Sequence, residues 1–244
     1  MADLSPGDAY AIGVDVGGTK TKACLVRIAD GTVLIEKTRA TPCAEGGAAV
    51  LDLVVAMAAE TQREAGELTR GAACPVGVCL PELVSNGGEP GSAWNFEWRG
   101  LDFRTPLSAF GPVYVESDVR AAAFAEGWIG AGNNADIFVY VTLSTGMSHT
   151  LVIDGKPYGG ARGFAIHFAG AELVAWTDPD QDVELRQHVE VFASGKGMGE
   201  RYGRLVGKPD ATARDLPLVP AALGDNACAI GVAALAFRAG MAAA

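Results

Sequence analysis

The chain lacks several features that would point to particular function classes. It has no surplus of positive charge. Its formal net charge is −10, and a surface without basic excess is a poor match for nucleic acid or an anionic membrane. It has no apolar run near the roughly 18 residues of a membrane span, and its start, MADLSPGDAY, has neither a basic nor an apolar leader region. A cytoplasmic location is therefore expected. Five cysteines, Cys24, Cys43, Cys74, Cys79 and Cys228, are an odd number and form no CxC or CxxC pair. They read as buried free thiols rather than disulfides or metal ligands. Disorder is also excluded: 49% of residues are hydrophobic and 20% charged, enough apolar surface to close a core.

What is present is a repeated alternation of strands and helices. Residues 10–15 and 22–28 are apolar, β-rich and separated by a glycine turn, so they predict a hairpin. A third strand is expected at 32–38, a helix at 47–68, a strand at 75–80, a polar loop at 85–93, a strand at 112–116 and an Ala-rich helix at 118–131. The pattern then restarts with strands at 137–143 and 149–154. Residues 184–206 read as helix, 207–217 as loop and 225–239 as a final helix. Two similar halves predict an α/β protein of two domains, 1–117 and 118–244, with a cleft between them and the final helix free to pack back on the first.

Three motifs carry chemistry. In Asp15-Val-Gly-Gly-Thr-Lys20 a tight turn brings backbone N–H groups close to a ligand with no Cβ in the way. Asp15 can hold Mg²⁺ through water, since that ion favours carboxylate, water and phosphate oxygens. An ordinary hairpin turn is the plainer alternative. Leu143-Ser144-Thr145-Gly146 is a second glycine turn between apolar strands. Glu116-Ser117-Asp118 places a carboxylate where a strand meets a helix. That position suits a general base acting on a hydroxyl, and equally suits a helix N-cap.

Taken in order, DVGGTK, NFEWRGLDF, ESD before AAAFAEG, LSTG and GDNACAIGVAALA resemble the ROK family of sugar kinases and repressors. The resemblance implies an actin-like (ribonuclease H-like) ATPase fold and ATP-dependent phosphorylation of a hexose such as glucose. It implies that Gly17, Gly18, Thr19 and Lys20 form a first phosphate motif, and Thr145 and Gly146 a second. It also implies that Asp118 is the catalytic base and that Asn95 and Glu190 contact the sugar. ATP and Mg²⁺ are the implied cofactors and a small hexose the implied partner; pairing into a homodimer is left open. No DNA-binding segment precedes DVGGTK in this sequence, which speaks for the kinase branch.

The sequence also departs from the family. Its GEIGH string stands here as Gly163-Phe-Ala-Ile-His167, so a sugar-binding Glu has no counterpart and His167 holds the family His position only loosely. The CxCGxxGC zinc run is absent. His188 stands at its last Cys, and Gln181 and Val183 near two others, so no zinc is expected at a site that needs four N or S donors. Ser144 replaces a turn glycine, and Ser117 replaces an Asn. A long helical stretch that helps form the family's adenosine pocket is missing near residues 209–213. The second domain is therefore expected to be incomplete and to expose apolar surface. The rival expectation is a sugar-binding or regulatory relative that has lost nucleotide binding.

Overall fold

The computed structural model describes residues 9–143, 146–166, 173–178, 183–208 and 222–243. Its first half is one five-stranded sheet. Strands β1 (Tyr10–Val16), β2 (Lys20–Arg27) and β3 (Val33–Ala40) form an antiparallel meander. Strands β4 (Val76–Leu80) and β5 (Val113–Ser117) then add in parallel, giving the order β3-β2-β1-β4-β5.

Period-two alternation on β1 sends Ile12, Val14 and Val16 to one face and Ala11 to the other. Helix α1 (Gly47–Glu64) covers the first face with Val50, Val54, Met57 and Ala58, spaced for one helical stripe. A short helix α2 (Arg104–Leu107) lies before β5. The opposite face is covered by α3 (Asp118–Trp128) and by the last helix, α6 (Ala227–Ala243). Helix α6 lies against the sheet backbone itself. A Cβ at Gly13 would fall 1.9 Å from Ala229 O, and one at Gly77 would fall 2.0 Å from Val232 O. Only glycine permits that approach.

The second half starts with a three-stranded antiparallel sheet, β6 (Ile137–Leu143), β7 (Met147–Ile153) and β8 (Lys156–Pro157), in that order. It packs on α3, where Phe138 lies against Gly127 and Gly132. The face of β6 turned the other way carries Ile137, Val139, Val141 and Leu143, all exposed, from 64% to 42%. Among the described residues, that face of β6 is an exposed apolar stripe.

One sequence expectation is overturned here. Residues 184–188 are not helical. They belong to strand β10 (Val183–His188), paired antiparallel with β9 (Leu173–Asp178). The reason lies in the pair of segments, LVAWTD and VELRQH: both are β-rich, and Pro179-Asp180-Gln181-Asp182 between them is turn-type sequence. Helix begins only with α4 (Val189–Ala193) and α5 (Gly195–Val206). Ser194 is the N-cap of α5, its hydroxyl accepting from Gly197 N at 3.1 Å.

Candidate active site

A cleft of about 560 Å³ opens where the C-terminal ends of β1, β4 and β5 face the β6–β7 turn and α4. In parallel sheets this is where ligands bind. One wall is the turn Gly17-Gly18-Thr19. Another is Pro81, Glu82 and the loop bearing Trp94 and Asn95. The opposite side is Thr142, Gly146–Ser148, Ile166 and Glu190, with Asp118 between the two. Gly17, Gly18, Thr19, Asn95, Asp118, Gly146 and Glu190, all singled out from sequence, therefore meet in one space.

Asp118 is the first residue of α3, and Ser117 holds the N-cap position. Its carboxylate accepts from Val119 N at 2.7 Å. Burial, with help from the neighbouring Asp15 and Glu82 charges, pushes its carboxyl up to about 7. A carboxylate poised near neutrality can take a proton from a hydroxyl and hold it briefly. The helix N-terminus favours the anion, but burial among acidic neighbours outweighs it.

The first glycine turn is closed by Gly17 N donating to Lys20 O at 3.0 Å, and it is held from outside by Thr41, whose hydroxyl donates to Gly17 O at 2.8 Å. Gly18 sits beside the loop bearing Asn95: a Cβ there would lie 3.4 Å from Asn95 Oδ1. On the opposite side, Glu190 Oε2 accepts from Met147 N at 3.0 Å and lies 2.8 Å from where a Gly146 Cβ would be. Gly146 thus lets α4 seat against the β6–β7 turn.

Two expected members are placed off the cleft wall. Lys20 points away and pairs with Asp225 at 3.9 Å. Asp15 lies behind the turn, its Oδ1 accepting from the Cys79 thiol at 3.3 Å, and burial raises its carboxyl above the ordinary range. Its carboxylate is of the oxygen-donor type that Mg²⁺ favours, and the Lys22 and Lys20 charges lie close enough to act on it. Thr145 and His167 lie outside the described residues. His188, named for the lost zinc run, is exposed at the end of β10. Cys43 is exposed and Cys228 half-buried, against the expectation of uniformly buried thiols; Cys43 Sγ donates to Thr41 O at 3.3 Å as part of the turn's support.

Glu82 was not foreseen. It is 2% exposed, and it accepts from Ser92 Oγ, from Trp94 N at 3.1 Å, from Asn95 N at 2.8 Å and from Asn95 Nδ2 at 3.2 Å. One buried carboxylate therefore holds the loop that carries Ser92, Trp94 and Asn95. Its signal was a Glu two residues past a fully apolar parallel strand, where a charge needs a reason. Arg120 was also missed. It is 3% exposed, and it pairs with Glu116 and donates to Val84 O at 2.8 Å and to Gly163 O. It pins the segment before His167 to the first half.

The pattern of the ROK family matches residues 11–213. The chain is 33% identical to the bifunctional enzyme NanE/NanK of Brucella suis over 76% of its own length and 33% of that protein's. It is 25% identical to the xylose repressor of Bacillus subtilis over 78% of its length and 49% of the repressor's. The chain thus spans about half or less of these curated relatives. Among solved structures, it resembles a ROK glucokinase from Streptomyces griseus in complex with glucose and AMPPNP (TM-score 0.63, 26% identity, 82% of this chain and 63% of that one). It also resembles an inorganic polyphosphate/ATP-glucomannokinase from Arthrobacter (TM-score 0.68, 25% identity, 95% and 99%). The fold is that of the actin-like ATPases.

Proposed function

The chain belongs to the ROK family, and from that premise we propose that it transfers the γ-phosphoryl group of ATP to a hydroxyl of a hexose, glucose or a close relative. The observation that carries the reading is Asp118: a carboxylate in the cleft, raised to about 7, between a glycine turn and two polar sugar-side residues. Asp118 accepts the hydroxyl proton as the oxygen attacks. Asn95, fixed by Glu82, and Glu190 orient the sugar. The backbone of Gly17–Thr19 and Gly146 faces the phosphates. Such a reaction needs positioning and charge stabilisation more than covalent chemistry. Asp15 would hold Mg²⁺ through water, and that ion supplies neutralisation of phosphate charge.

Asp118→Asn is the test. It should retain hexose binding by calorimetry and lose turnover by about 10²–10⁴-fold, the usual contribution of a general base. Turnover at the wild-type rate would remove Asp118 from the mechanism.

A second reading, a sugar-binding regulator without nucleotide chemistry, is favoured by the bare apolar face of β6. Hexose binding with no thermal stabilisation by ATP would select it, because a ligand at 100 times its Kd adds about 2.7 kcal/mol.

A further inference from the structure

Behind the first glycine turn, three potential ligands converge from three distant parts of the chain. Asp15 ends β1, Cys79 lies in β4 and Cys228 lies in the first turn of α6. One carboxylate oxygen and the two sulfurs all lie within 4.8 Å of one another. We propose that Asp15, Cys79 and Cys228 form a binding site for one thiophilic divalent cation, of the zinc and cadmium class.

The spacing suits such an ion. Bonds of about 2.3 Å to sulfur and 2.0 Å to oxygen at tetrahedral angles put ligand atoms about 3.5–3.8 Å apart. Cys79 Sγ and Asp15 Oδ1 are already 3.3 Å apart, so the remaining closure is small. The set is soft. Two thiolates favour zinc or cadmium over magnesium, whose preference is for oxygen alone. Three protein donors leave a fourth position for water.

Charge also fits. Two thiolates and a carboxylate around a dication leave one net negative charge. Lys22, nearly buried and paired across the β1–β2 ladder with Asp15, lies next to it. Lys22 Nζ is fixed nearby by Asn226 Oδ1 at 2.6 Å and Asp225 O at 3.2 Å. Burial first, then the neighbouring Cys228 thiol and the Asp15 and Asp118 charges, hold the Cys79 thiol well above its ordinary pKa, and burial raises Asp15. Without a cation these are neutral or costly groups, and a bound cation would displace their protons. Cys79 is fully buried, while Asp15 and Cys228 are half-buried, so the ion enters from their side.

The site adjoins the candidate active site. Cys228 Sγ lies 3.7 Å from Asp118 O. A cation there would occupy Asp15, and so would oppose Mg²⁺ and phosphate. That consequence rests on the kinase reading; binding of the cation does not.

The experiment titrates the reduced, untagged full chain with Cd²⁺ and follows the ultraviolet thiolate-to-metal charge-transfer band, with Zn²⁺ as competitor. The expected result is one Cd²⁺ per chain, displaced by Zn²⁺. Cys79→Ser and Cys228→Ser should each lose the band, while Cys24→Ser and Cys43→Ser keep it. Asp15→Asn should weaken Cd²⁺ by about tenfold or more, the loss that even outer partners of a metal site cause. Cys228 is half-buried at a helix start, so Cys228→Ala, checked by circular dichroism, guards against a folding failure. As a second measurement, Zn²⁺ should protect half-buried Cys228, but not exposed Cys43, from alkylation as read by mass spectrometry. No band, a band that survives both serine variants, or a band lost with Cys43 would overturn the proposal. Loss of turnover in Asp118→Asn with no Cd²⁺ band would sink this site and leave the kinase reading standing.

Discussion

Removing the Asp118 charge should stabilise the protein while it stops the chemistry. The carboxyl is lifted from its ordinary 3.8 to about 7, first by burial and then by Asp15. The native state therefore holds the proton more tightly than the unfolded chain does. Stability is full below the unfolded value and falls as pH rises from about 4 to about 7, where the native carboxyl finally ionises. At 1.36 kcal/mol per unit, the whole shift amounts to on the order of 4 kcal/mol lost by pH 8. In Asp118→Asn the introduced amide cannot ionise, and its oxygen can keep the bond from Val119 N. The variant should be more stable than wild type by up to about 4 kcal/mol at pH 8 and by about 2 kcal/mol at pH 5. For a chain of this length each kcal/mol moves Tm by about 2–4 °C, so the gain at pH 8 should reach about 8–16 °C. Differential scanning calorimetry of both proteins at pH 5 and 8 measures it. A variant no more stable than wild type at pH 8, or a gain that ignores pH, would refute the argument that burial among carboxylates poises Asp118.

Other outcomes follow from the same geometry. Glu82→Gln turns an NH₂ toward one of the donors now held by the carboxylate. It should cost about 1–3 kcal/mol and weaken hexose binding more than it changes kcat; unchanged hexose affinity by calorimetry would show that Asn95 does not depend on Glu82. Arg120→Ala leaves Glu116 buried without its counter-charge and removes the donor to Val84 O and Gly163 O. It should destabilise by about 3–5 kcal/mol in urea unfolding, whereas a loss under about 1 kcal/mol would mean the pair is dispensable. ATP and inorganic triphosphate should bind with similar, weak affinity, because about 100 Å² of lost apolar contact with the base is worth about 2.5 kcal/mol. Micromolar ATP with strong preference over triphosphate would show an intact adenosine site.

Much of the fold was legible because it is local. The hairpins 10–28 and 137–153 and the stripe of α1 announce themselves by period and by turn chemistry. The junction of β5 and α3 does so by an apolar run ending in Glu-Ser-Asp. The glycine turns, Asn95, Asp118 and Glu190 could be named because each belongs to a recognisable string. What could not be read is convergence between distant segments. Cys79 and Cys228 share no sequence motif and meet only because α6 folds back over Gly13 and Gly77. Glu82 belongs to no motif, and its place shows only where Trp94 N and Asn95 N donate to it. Residues 184–188 were misread as helix because a strand with one partner carries a weak period, and its partner, β9, was not anticipated.

The two sides of the cleft rest on unequal foundations. The side proposed to hold the sugar is tied into closed structure: Asn95 through Glu82, Asp118 through the β5–α3 junction clamped by α6, and the segment before His167 through Arg120. The turn at Gly17–Thr19, proposed to face phosphate, shares that support. Among the described residues, the β6–β7 sheet is covered on its α3 side only. An antiparallel sheet that faces water on one side normally alternates apolar inward and polar outward, and β6 does not. Ile137, Val139, Val141 and Leu143 face outward while Phe138 and Tyr140 face in, a pattern suited to a strand buried on both faces. The sequence of β6 is thus written for a neighbour that the described residues do not supply. The resemblance places the missing stretch beside the adenosine pocket, on this same domain. On the kinase reading proposed above, impairment should therefore appear as weak nucleotide binding before it appears as weak sugar binding.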